Sequence, residues 1–409
     1  MSSPNSLKIA FLFGSGISIS AGMPSTQDIT ERVLSGENVM RDTDGNFYSG
    51  PPKFAHAGFP DEYVPRVLKF LDRLKLEIDK YYQYKPEPRT NYEDLYYVVS
   101  QIYDSELREI PNPVVQSLID KILPDIESLL ISKQNEIKKG WELHELSGEV
   151  TYYINDIVWI MLMQELRCLD YLNFIKNAYQ DKRYSNITIF TLNQDLVLEQ
   201  FLTQNGIQFT HGFSEPYDNV RRWNPNLFES ELYKIKLLKL HGSIDWFRLR
   251  PSKGGSWGNE FIGIPMKWKL FPAFTEDSQG NISLDAVDHR PKILVGTFNK
   301  MLDYLSDIYT DLFYLFYRHL SNTQRLIISG YGFGDQGINT RIIQWFYSAS
   351  DNKIIIIHPE PEKLKRAARG AISNKWNSWI EEKRLIILQR RAEQISWQEI
   401  HDSLSKTYG

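Results

Sequence analysis

The sequence predicts an α/β protein whose doubly wound, Rossmann-like parallel sheet is interrupted by a large helical insertion. Short apolar runs alternate with segments of helical periodicity from about Asn186 onward, and one further apolar run, Ile9–Phe13, stands near the amino terminus. Uninterrupted apolar runs of this length are typical of strands covered on both faces, as in parallel sheets. The chain has 409 residues, of which 42% are hydrophobic, so it can bury a large core in two or three domains.

Strand and helix candidates alternate in the carboxyl-terminal half. The strand candidates are Ile187–Leu192, Ile235–Leu240, Ile293–Val295, Leu326–Ser329, Ile354–Ile357 and Leu385–Leu388. The helix candidates are Leu196–Leu202, Met301–Leu320, Ile338–Ser348, Glu362–Ile372 and Trp397–Leu404. This alternation predicts a doubly wound parallel sheet, which Ile9–Phe13 joins as one more strand before a helix over Thr26–Leu34.

The segment 36–183 is predicted to be a helical insertion. It opens on a polar, glycine-rich loop from Arg41 to Pro60, and helical periodicity follows, with a kink expected at Pro124. The predicted helical segments are Val64–Ile78, Val115–Leu130 and Tyr152–Tyr179. The predicted domains are therefore a sheet domain of residues 1–35 and 184–409, and the insertion of residues 36–183.

Composition narrows the class of protein. The net charge of −4 argues against a dominant nucleic-acid surface, so direct nucleic-acid binding is not expected. The apolar runs are too short for a membrane span or a signal-peptide core, so we expect a soluble, cytoplasmic protein. Cys168 is the single cysteine, which excludes an internal disulfide and a cysteine-cluster zinc site. No spacing of histidines and carboxylates suggests a catalytic metal, and none is expected.

Small or polar residues follow five of the predicted strands. Ligands of open α/β sheets bind outside the carboxyl ends of the strands, so these turns predict a binding site. Gly14 and Gly16 would let the backbone approach a pyrophosphate, and the start of the next helix would offer N–H groups to the anion. Alternatively, these glycines only form the turn between strand and helix. The turns are Gly14–Ser18, Asn193–Asp195, His241–Ser243, Gly330–Asp335 and His358–Pro359.

Four of these turns resemble, in the same order, motifs of the sirtuin family. Gly14–Ser18 with Gly22-Met23-Pro24 resembles the opening glycine-alanine-glycine-x-serine and glycine-x-proline. Thr191–Asp195 resembles threonine-glutamine-asparagine-x-aspartate, and Leu240–Ser243 is similar to the segment that holds the catalytic histidine. Gly330-Tyr331-Gly332 stands where sirtuins carry glycine-threonine-serine. The resemblance covers Ile9–Thr30 and Asn186–His358 and leaves the helical segment uncovered.

The chain also departs from sirtuin deacetylases. Their small zinc module carries four cysteines, so with one cysteine here the module is absent or replaced. Ser25-Thr26-Gln27 stands where aspartate-phenylalanine-arginine is usual. The segment Gly330–Asp335 resembles the divergent bacterial sirtuin-like domains of phage-defence systems, several of which destroy NAD. One such family pairs a sirtuin-like subunit with a HerA-type hexameric ATPase.

The resemblance implies a regulated NAD⁺ glycohydrolase of anti-phage defence, a hydrolase that acts on the N-glycosidic bond of NAD⁺. NAD is then the substrate, nicotinamide and ADP-ribose are the products, and a homo-oligomer with a HerA-type ATPase or another defence partner is expected. The size of the helical block leads us to expect control by assembly, by a partner or by that block. Two alternatives remain: an NAD-dependent deacylase or ADP-ribosyltransferase, and a non-catalytic module that senses NAD or a related nucleotide.

Cleavage of this bond needs a positioned water, hydrogen bonds to the ribose and a way to shed a proton. Asn193 is the candidate that orients the water or the ribose. His241 is the candidate general base or ribose-hydroxyl ligand, because imidazole titrates near neutral pH, and His211 is a competitor in a similar local sequence. Asp195 either stabilises positive charge on the ribose or complements the dipole of the next helix.

The predicted nucleotide-binding residues are Gly14, Ser15, Gly16, Ser18, Pro24, Gly330, Tyr331, Gly332, Asp335 and His358. The serines, with Ser20, bind phosphate or ribose, or cap a helix. Asp335 contacts the ribose or caps a helix beginning at Gly337. His358 falls where members of the family often place a residue near the adenosine ribose.

Overall fold

The structure is a computed structural model that describes residues 7–42, 45–50, 63–83, 90–108, 112–130, 141–252, 259–269, 274–276, 282–297 and 299–405. Contacts divide the chain into two compact units. The first comprises Met1–Met23, Gln164–Ile293 and Met301–Gly409, and the second comprises Pro24–Met163 and Leu294–Lys300. The predicted division into a nucleotide-binding domain and an insertion over 36–183 stays a prediction.

The strands, in chain order, are β1 (Leu7–Phe13), β2 (Val39–Arg41), β3 (Phe47–Ser49), β4 (Tyr184–Thr191), β5 (Phe209–Thr210), β6 (Val220–Arg222), β7 (Ile235–Lys239), β8 (Gly242–Pro251), β9 (Phe261–Pro265), β10 (Phe274–Glu276), β11 (Ile282–Ile293), β12 (Arg325–Ser329), β13 (Lys353–Ile357) and β14 (Leu385–Leu388). The α-helices are α1 (Thr26–Ser35), α2 (Tyr63–Tyr82), α3 (Tyr92–Leu107), α4 (Pro113–Ile126), α5 (Leu143–Leu162), α6 (Asn173–Gln180), α7 (Val197–Gln204), α8 (Asn299–Asp303), α9 (Asp307–Ser321), α10 (Gln336–Ser348), α11 (Pro361–Ala367), α12 (Gly370–Ser373), α13 (Trp376–Glu381) and α14 (Trp397–Ser405).

The first unit is built on a seven-stranded sheet in the order β14-β13-β12-β1-β4-β7-β5. All of its strand pairs are parallel, which confirms the predicted doubly wound sheet. Both faces are covered: Phe11 packs against Phe174 and Trp397, whereas Phe190 packs against Phe316. This cover explains why the strands are apolar without interruption.

A second, five-stranded sheet in the first unit has the order β10-β11-β8-β9-β6 and is antiparallel. The apolar pattern of the sequence did not predict this sheet. The predicted parallel strand Ile293–Val295 is wrong, because Ile293 ends β11 and pairs with Gly242 of β8. Three apolar residues in a row mark the end of a long strand here rather than a short strand of the main sheet.

The second unit contains α1–α5 and the two-stranded antiparallel sheet of β2 and β3. The hairpin replaces part of the loop predicted over Arg41–Pro60, of which 43–44 and 51–60 lie outside the described residues. Pro124 lies inside α4, which ends two residues later and passes into a 3₁₀ turn.

Three predicted helices have the wrong extent. The helix over Tyr152–Tyr179 is in fact α5 and α6, separated by a segment in which the Arg167 N–H donates to the Ala21 carbonyl (2.9 Å). Met301–Leu320 is divided into α8 and α9 by a turn, and Glu362–Ile372 into α11 and α12. Helical periodicity continues across each break, so apolar spacing alone did not reveal it. None of the described helices is both long enough and apolar enough to cross a bilayer.

Candidate active site

The order of the strands places the predicted turns at one edge of the main sheet, here called the carboxyl edge. The chain builds β4 and β7 on one side of β1, then returns to build β12, β13 and β14 on the other side. The carboxyl ends of β1 and β12 therefore form the switch point at which open α/β sheets bind ligands. Backbone hydrogen bonds join their turns: Gly14 N–H donates to Ser329 O (3.1 Å) and Gly16 N–H to Gly330 O (3.0 Å).

The glycines at this point are required by close contact between backbones. A Cβ on Gly14 would lie 2.5 Å from the Gly330 oxygen. Gly330 has a φ of +69°, and a Cβ on it would lie 2.4 Å from the Ile17 nitrogen. Two 3₁₀ turns follow Gly14, and the next helix, α1, begins at Thr26, as predicted. These glycines pack two turns against each other, and binding of an anion at the start of α1 stays a prediction.

Asn193 lies just beyond β4 and is held by its own amide group. Its Nδ2 donates to the Gly14 carbonyl (3.1 Å) and to the Ser18 hydroxyl (2.9 Å), and its backbone N–H donates to Thr191 Oγ1 (3.1 Å). Its Oδ1 is buried and has no hydrogen-bond donor among the residues that the structure describes. A buried acceptor of this kind is costly unless a water or a ligand supplies the donor.

Asp195 is buried and supported from two sides. Its Oδ1 accepts the Val197 N–H (3.0 Å) at the start of α7, as expected of a residue that precedes a helix. Its backbone carbonyl accepts from Nζ of Lys239, which also pairs with Glu199 Oε1 (2.9 Å). Tyr171 is near: burial raises its pKa, and the charge of Asp195 raises it further. Lys239, which was not predicted from sequence, therefore helps to hold this turn, while the Tyr171 hydroxyl donates to the Ile17 carbonyl (2.7 Å).

His241 follows β7 and forms a three-residue cluster. Its Nε2 lies 2.7 Å from Tyr304 Oη and 3.1 Å from Asp335 Oδ2, and Tyr304 Oη donates to the same carboxylate oxygen (2.7 Å). Gly242, with a φ of +79°, follows the histidine, and a Cβ there would lie 2.0 Å from the Lys292 oxygen. The tight turn after His241 therefore needs glycine.

The Asp335 carboxyl group is ionised in this cluster. Burial by itself raises the pKa of Asp335, but hydrogen bonds to His241, Ile338 and Tyr304, with the charge of His241, hold it well below its usual range. Its Oδ1 also accepts the Ile338 N–H (3.0 Å) and caps α10. Helix capping was one of the two roles predicted for Asp335, the other being a contact with the ribose. A single carboxylate therefore fixes both the helix start and the histidine.

The other predicted nucleotide-binding residues are distributed along the carboxyl edge. Ser15 and Gly332 are exposed, whereas Tyr331 is buried, with its hydroxyl 2.8 Å from Asn339 Oδ1. Ser18 is buried against Asn193, and Ser20 bonds Glu393. His358 is half-buried: burial lowers its pKa, and its Nδ1 accepts the Glu360 N–H (3.0 Å). Pro24 begins the second unit. The roles of all these residues stay predictions.

His211 lies in a different place from His241. It lines a separate cavity of about 910 Å³ together with residues of α7, β6 and β8. Burial lowers its pKa to about 4, and its Nδ1 accepts the Phe213 N–H (3.2 Å). The similar local sequences of the two histidines thus lead to different surroundings.

No group of three or more metal-binding side chains occurs in the part of the chain that the structure describes.

Comparison with known proteins matches one segment of the chain to a family. Residues 187–380 match the family described as SIR2-like domain. This segment holds Asn193, His241 and Asp335. No curated protein matches the chain.

Matches among solved structures include Sir2 proteins. One is a mutant Sir2 homologue with ADP-ribose, with 11% identity, a TM-score of 0.35, and coverage of 98% of this chain and 93% of that chain. Another is a Sir2 homologue with NAD, with 12% identity, a TM-score of 0.36, and coverage of 98% and 91%. A third is Sir2 bound to acetylated peptide, with 9% identity, a TM-score of 0.36, and coverage of 97% and 92%.

Proposed function

We propose that the carboxyl edge hydrolyses the N-glycosidic bond of NAD⁺ and releases nicotinamide and ADP-ribose. The observation that carries the proposal is the buried Asn193 Oδ1, an acceptor without a protein donor in the described structure, at a switch point that also holds a histidine–carboxylate pair. A ribose hydroxyl or a water molecule is the donor that this oxygen lacks. The match to a SIR2-like domain supports the same substrate.

In the proposed reaction, a water oriented by Asn193 attacks C1′ of the nicotinamide ribose. The bond from C1′ to the pyridinium nitrogen breaks, and its electron pair neutralises the nicotinamide ring. The water gives one proton to His241, and its oxygen becomes the C1′ hydroxyl of ADP-ribose. Asp195 supplies negative charge toward the positive charge that develops on the ribose in the transition state.

The cluster around His241 determines which ring nitrogen is basic. The ionised Asp335 carboxylate faces Nε2, so in the neutral ring Nε2 carries the proton and Nδ1 is the basic nitrogen. Tyr304 donates to the same carboxylate oxygen and limits the rotation of the pair. We infer that Asp335 and Tyr304 position the base, while Nδ1 of His241 accepts the proton.

The proposal is tested by incubating the purified full chain with NAD⁺ and measuring nicotinamide and ADP-ribose. We expect Asn193→Ala to lower the rate about 1,000-fold, since the variant loses both the orientation of the water and the anchor on Ser18. His241→Ala should have a similar effect, whereas Asn177→Ala, on the exposed face of α6, should keep wild-type activity. Circular dichroism establishes that the variants are folded.

The products separate the alternatives. Wild-type hydrolysis that survives in folded Asn193→Ala and His241→Ala would contradict the proposed site. Transfer of ADP-ribose to a protein, or removal of acyl groups from a peptide, would establish a transferase or a deacylase instead. Calorimetric binding of NAD⁺ without any product, with and without candidate partners, would establish a sensor.

The wider role rests on the resemblance of the Gly330–Asp335 segment to phage-defence domains. We propose a cytoplasmic, homo-oligomeric effector of anti-phage defence that acts with a HerA-type ATPase or a comparable partner. Uncontrolled hydrolysis of NAD⁺ would be toxic to the cell, so we expect assembly to activate the enzyme. Full activity of the isolated chain at low concentration would contradict this regulation.

A further inference from the structure

A small cavity at the opposite edge of the main sheet concentrates basic side chains. Its volume is about 120 Å³, and it lies where β1, β4 and β7 begin, next to the end of α9. We call this end of the sheet the amino edge. The basic residues that line the cavity are Lys8, Lys236, Arg318 and His319. Nothing in the proposed hydrolysis uses them.

Lys236 is the unusual member of this group. The residue is only 7% exposed, yet its ammonium group forms no hydrogen bond and no ion pair with any residue that the structure describes. Burial lowers the pKa of Lys236; Lys8 and Arg318 add to this shift, whereas Glu229 and Glu231 oppose it. The Nζ atom is not among the fully buried polar atoms that lack a partner, so water reaches this ammonium group, and an anion in the cavity would meet a positive charge that has no protein partner among the described residues.

The protein's own carboxylate is already engaged. Glu229 also lines the cavity, but both of its oxygens bind the Arg318 guanidinium, each at 2.8 Å. A bidentate pair of this kind satisfies the carboxylate geometrically. Three strongly basic side chains therefore share one carboxylate, and that carboxylate is held by Arg318 rather than by Lys236.

Two further observations show that these groups converge. Thr188 and Lys236 are paired in register on adjacent strands, and both line the cavity. Burial lowers the pKa of His319 to about 4, and the positive charges of Lys236, Arg318 and Lys8 lower it as well. The Nε2 atom of His319 is buried and has no partner among the described residues. Hydroxyl, ammonium and imidazole groups thus surround one small space.

We propose that the amino-edge cavity binds a tetrahedral oxyanion, either inorganic phosphate or the terminal phosphate of a larger molecule. The volume admits a few water molecules or one such anion. It lies below the roughly 300–1,000 Å³ of pockets that enclose a complete drug-sized ligand, so a whole nucleoside does not fit. Lys236 supplies a positive charge without a protein partner, Thr188 a hydroxyl group whose contact with Asn186 Oδ1 is long (3.5 Å), and the exposed Lys8 a second charge.

The test measures binding of inorganic phosphate to the full chain by isothermal calorimetry, at an ionic strength held constant with sodium chloride. We expect saturable binding by the wild type and a dissociation constant at least about tenfold larger for Lys236→Met, since a hydrogen bond to a charged group is lost. Lys353→Met is the matched control, because Lys353 begins β13 on the same sheet but does not line the cavity. Its affinity should equal that of the wild type.

Lys8→Gln provides a second variant that leaves the buried strand intact, and it should weaken binding several-fold. Absence of saturable binding to the wild type would overturn the proposal, as would unchanged affinity in folded Lys236→Met, which would place the anion elsewhere. Glycerol 3-phosphate distinguishes the two sources: binding comparable to that of phosphate indicates a terminal phosphate, and exclusion indicates the free anion. These results do not depend on NAD⁺ hydrolysis.

Discussion

Two lysines on the same strand show how differently the two edges of the sheet are organised. Lys239, at the carboxyl end of β7, is 1% exposed, pairs with Glu199 and donates to the Asp195 carbonyl. Lys236, at the amino end of β7, is 7% exposed and has neither kind of partner among the described residues. The residue type and the strand are shared, but the Lys239 ammonium is enclosed with its partners, whereas Lys236 lines the amino-edge cavity.

Lys239 carries a structural charge, whereas Lys236 carries a charge that a ligand can bind. At the carboxyl edge, Lys239 is compensated within the fold and holds the turn that carries Asp195. At the amino edge, the charge of Lys236 is left to an external anion. Removal of Lys239 should therefore destabilise the protein, whereas removal of Lys236 should not.

The largest effect is expected for Lys239→Met. The substitution leaves the buried Glu199 carboxylate without its partner, which costs about 3–5 kcal/mol in the free energy of unfolding. Burial raises the pKa of Glu199 and Lys239 opposes the rise, so loss of the lysine should drive the carboxyl group toward its neutral form. Urea denaturation measures the change, and the double variant Lys239→Met, Glu199→Gln should recover part of it. A stability equal to that of the wild type would contradict the role of this pair.

Acid should destabilise the protein through His319, by up to about 3 kcal/mol. The pKa of this histidine is lowered to about 4, against about 6.5 in the unfolded chain. Between these values the unfolded state binds more protons than the native state, so stability present above pH 6.5 is lost as the pH falls toward 4. Among the described residues that line the same cavity, Glu229 is the one acidic side chain, and it is held by Arg318.

The measurement compares free energies of unfolding at pH 7 and pH 4.5. His319→Gln should lose about 2–3 kcal/mol less than the wild type over this range. The matched control is His144→Gln, which lies outside this cavity with its side chain 32% exposed, and it should lose as much as the wild type. Equal losses in all three proteins would show that His319 does not titrate in this range.

At the carboxyl edge, Asp335→Asn should lower NAD⁺ hydrolysis about 10–100-fold. Asparagine can still cap α10 through Oδ1, but its amide no longer provides the carboxylate that fixes the proton on Nε2 of His241. The pH–rate profile should therefore move along the pH axis, whereas a purely structural loss would scale it at every pH. Tyr304→Phe, which keeps the carboxylate, should cost only a few-fold in rate.

The parallel sheet could be predicted because its strands are buried on both faces. Ile9 to Phe13 are each no more than 1% exposed, and such burial leaves an uninterrupted apolar run in the sequence. The antiparallel sheet was missed because its strands mix charged and apolar residues, as Arg248 and Arg250 show within β8. Strands with one solvated face and irregular register carry a weaker pattern.

The candidate site was predicted only in part, for a related reason. Residues that directly follow strands, such as Asn193 and His241, are marked by the strand before them. Tyr304 lies in the turn between α8 and α9, 63 positions from His241, and the apolar spacing around it predicted one continuous helix. No local sequence pattern predicts a contact between residues so far apart along the chain. The pairing of Lys239 with Glu199 was hidden in the same way.

The smallest effect, and the most direct test of the comparison, is expected for Lys236→Met in the absence of phosphate. An apolar side chain of similar length removes a charge that has no protein partner, so the free energy of unfolding should stay equal or rise by about 1 kcal/mol. Added phosphate should raise the melting temperature of the wild type and leave that of the variant nearly unchanged, because a ligand stabilises only a native state that binds it. A loss of several kcal/mol without phosphate would mean that the charge of Lys236 is compensated within the fold, as that of Lys239 is. The two edges of the sheet would then both hold structural charges.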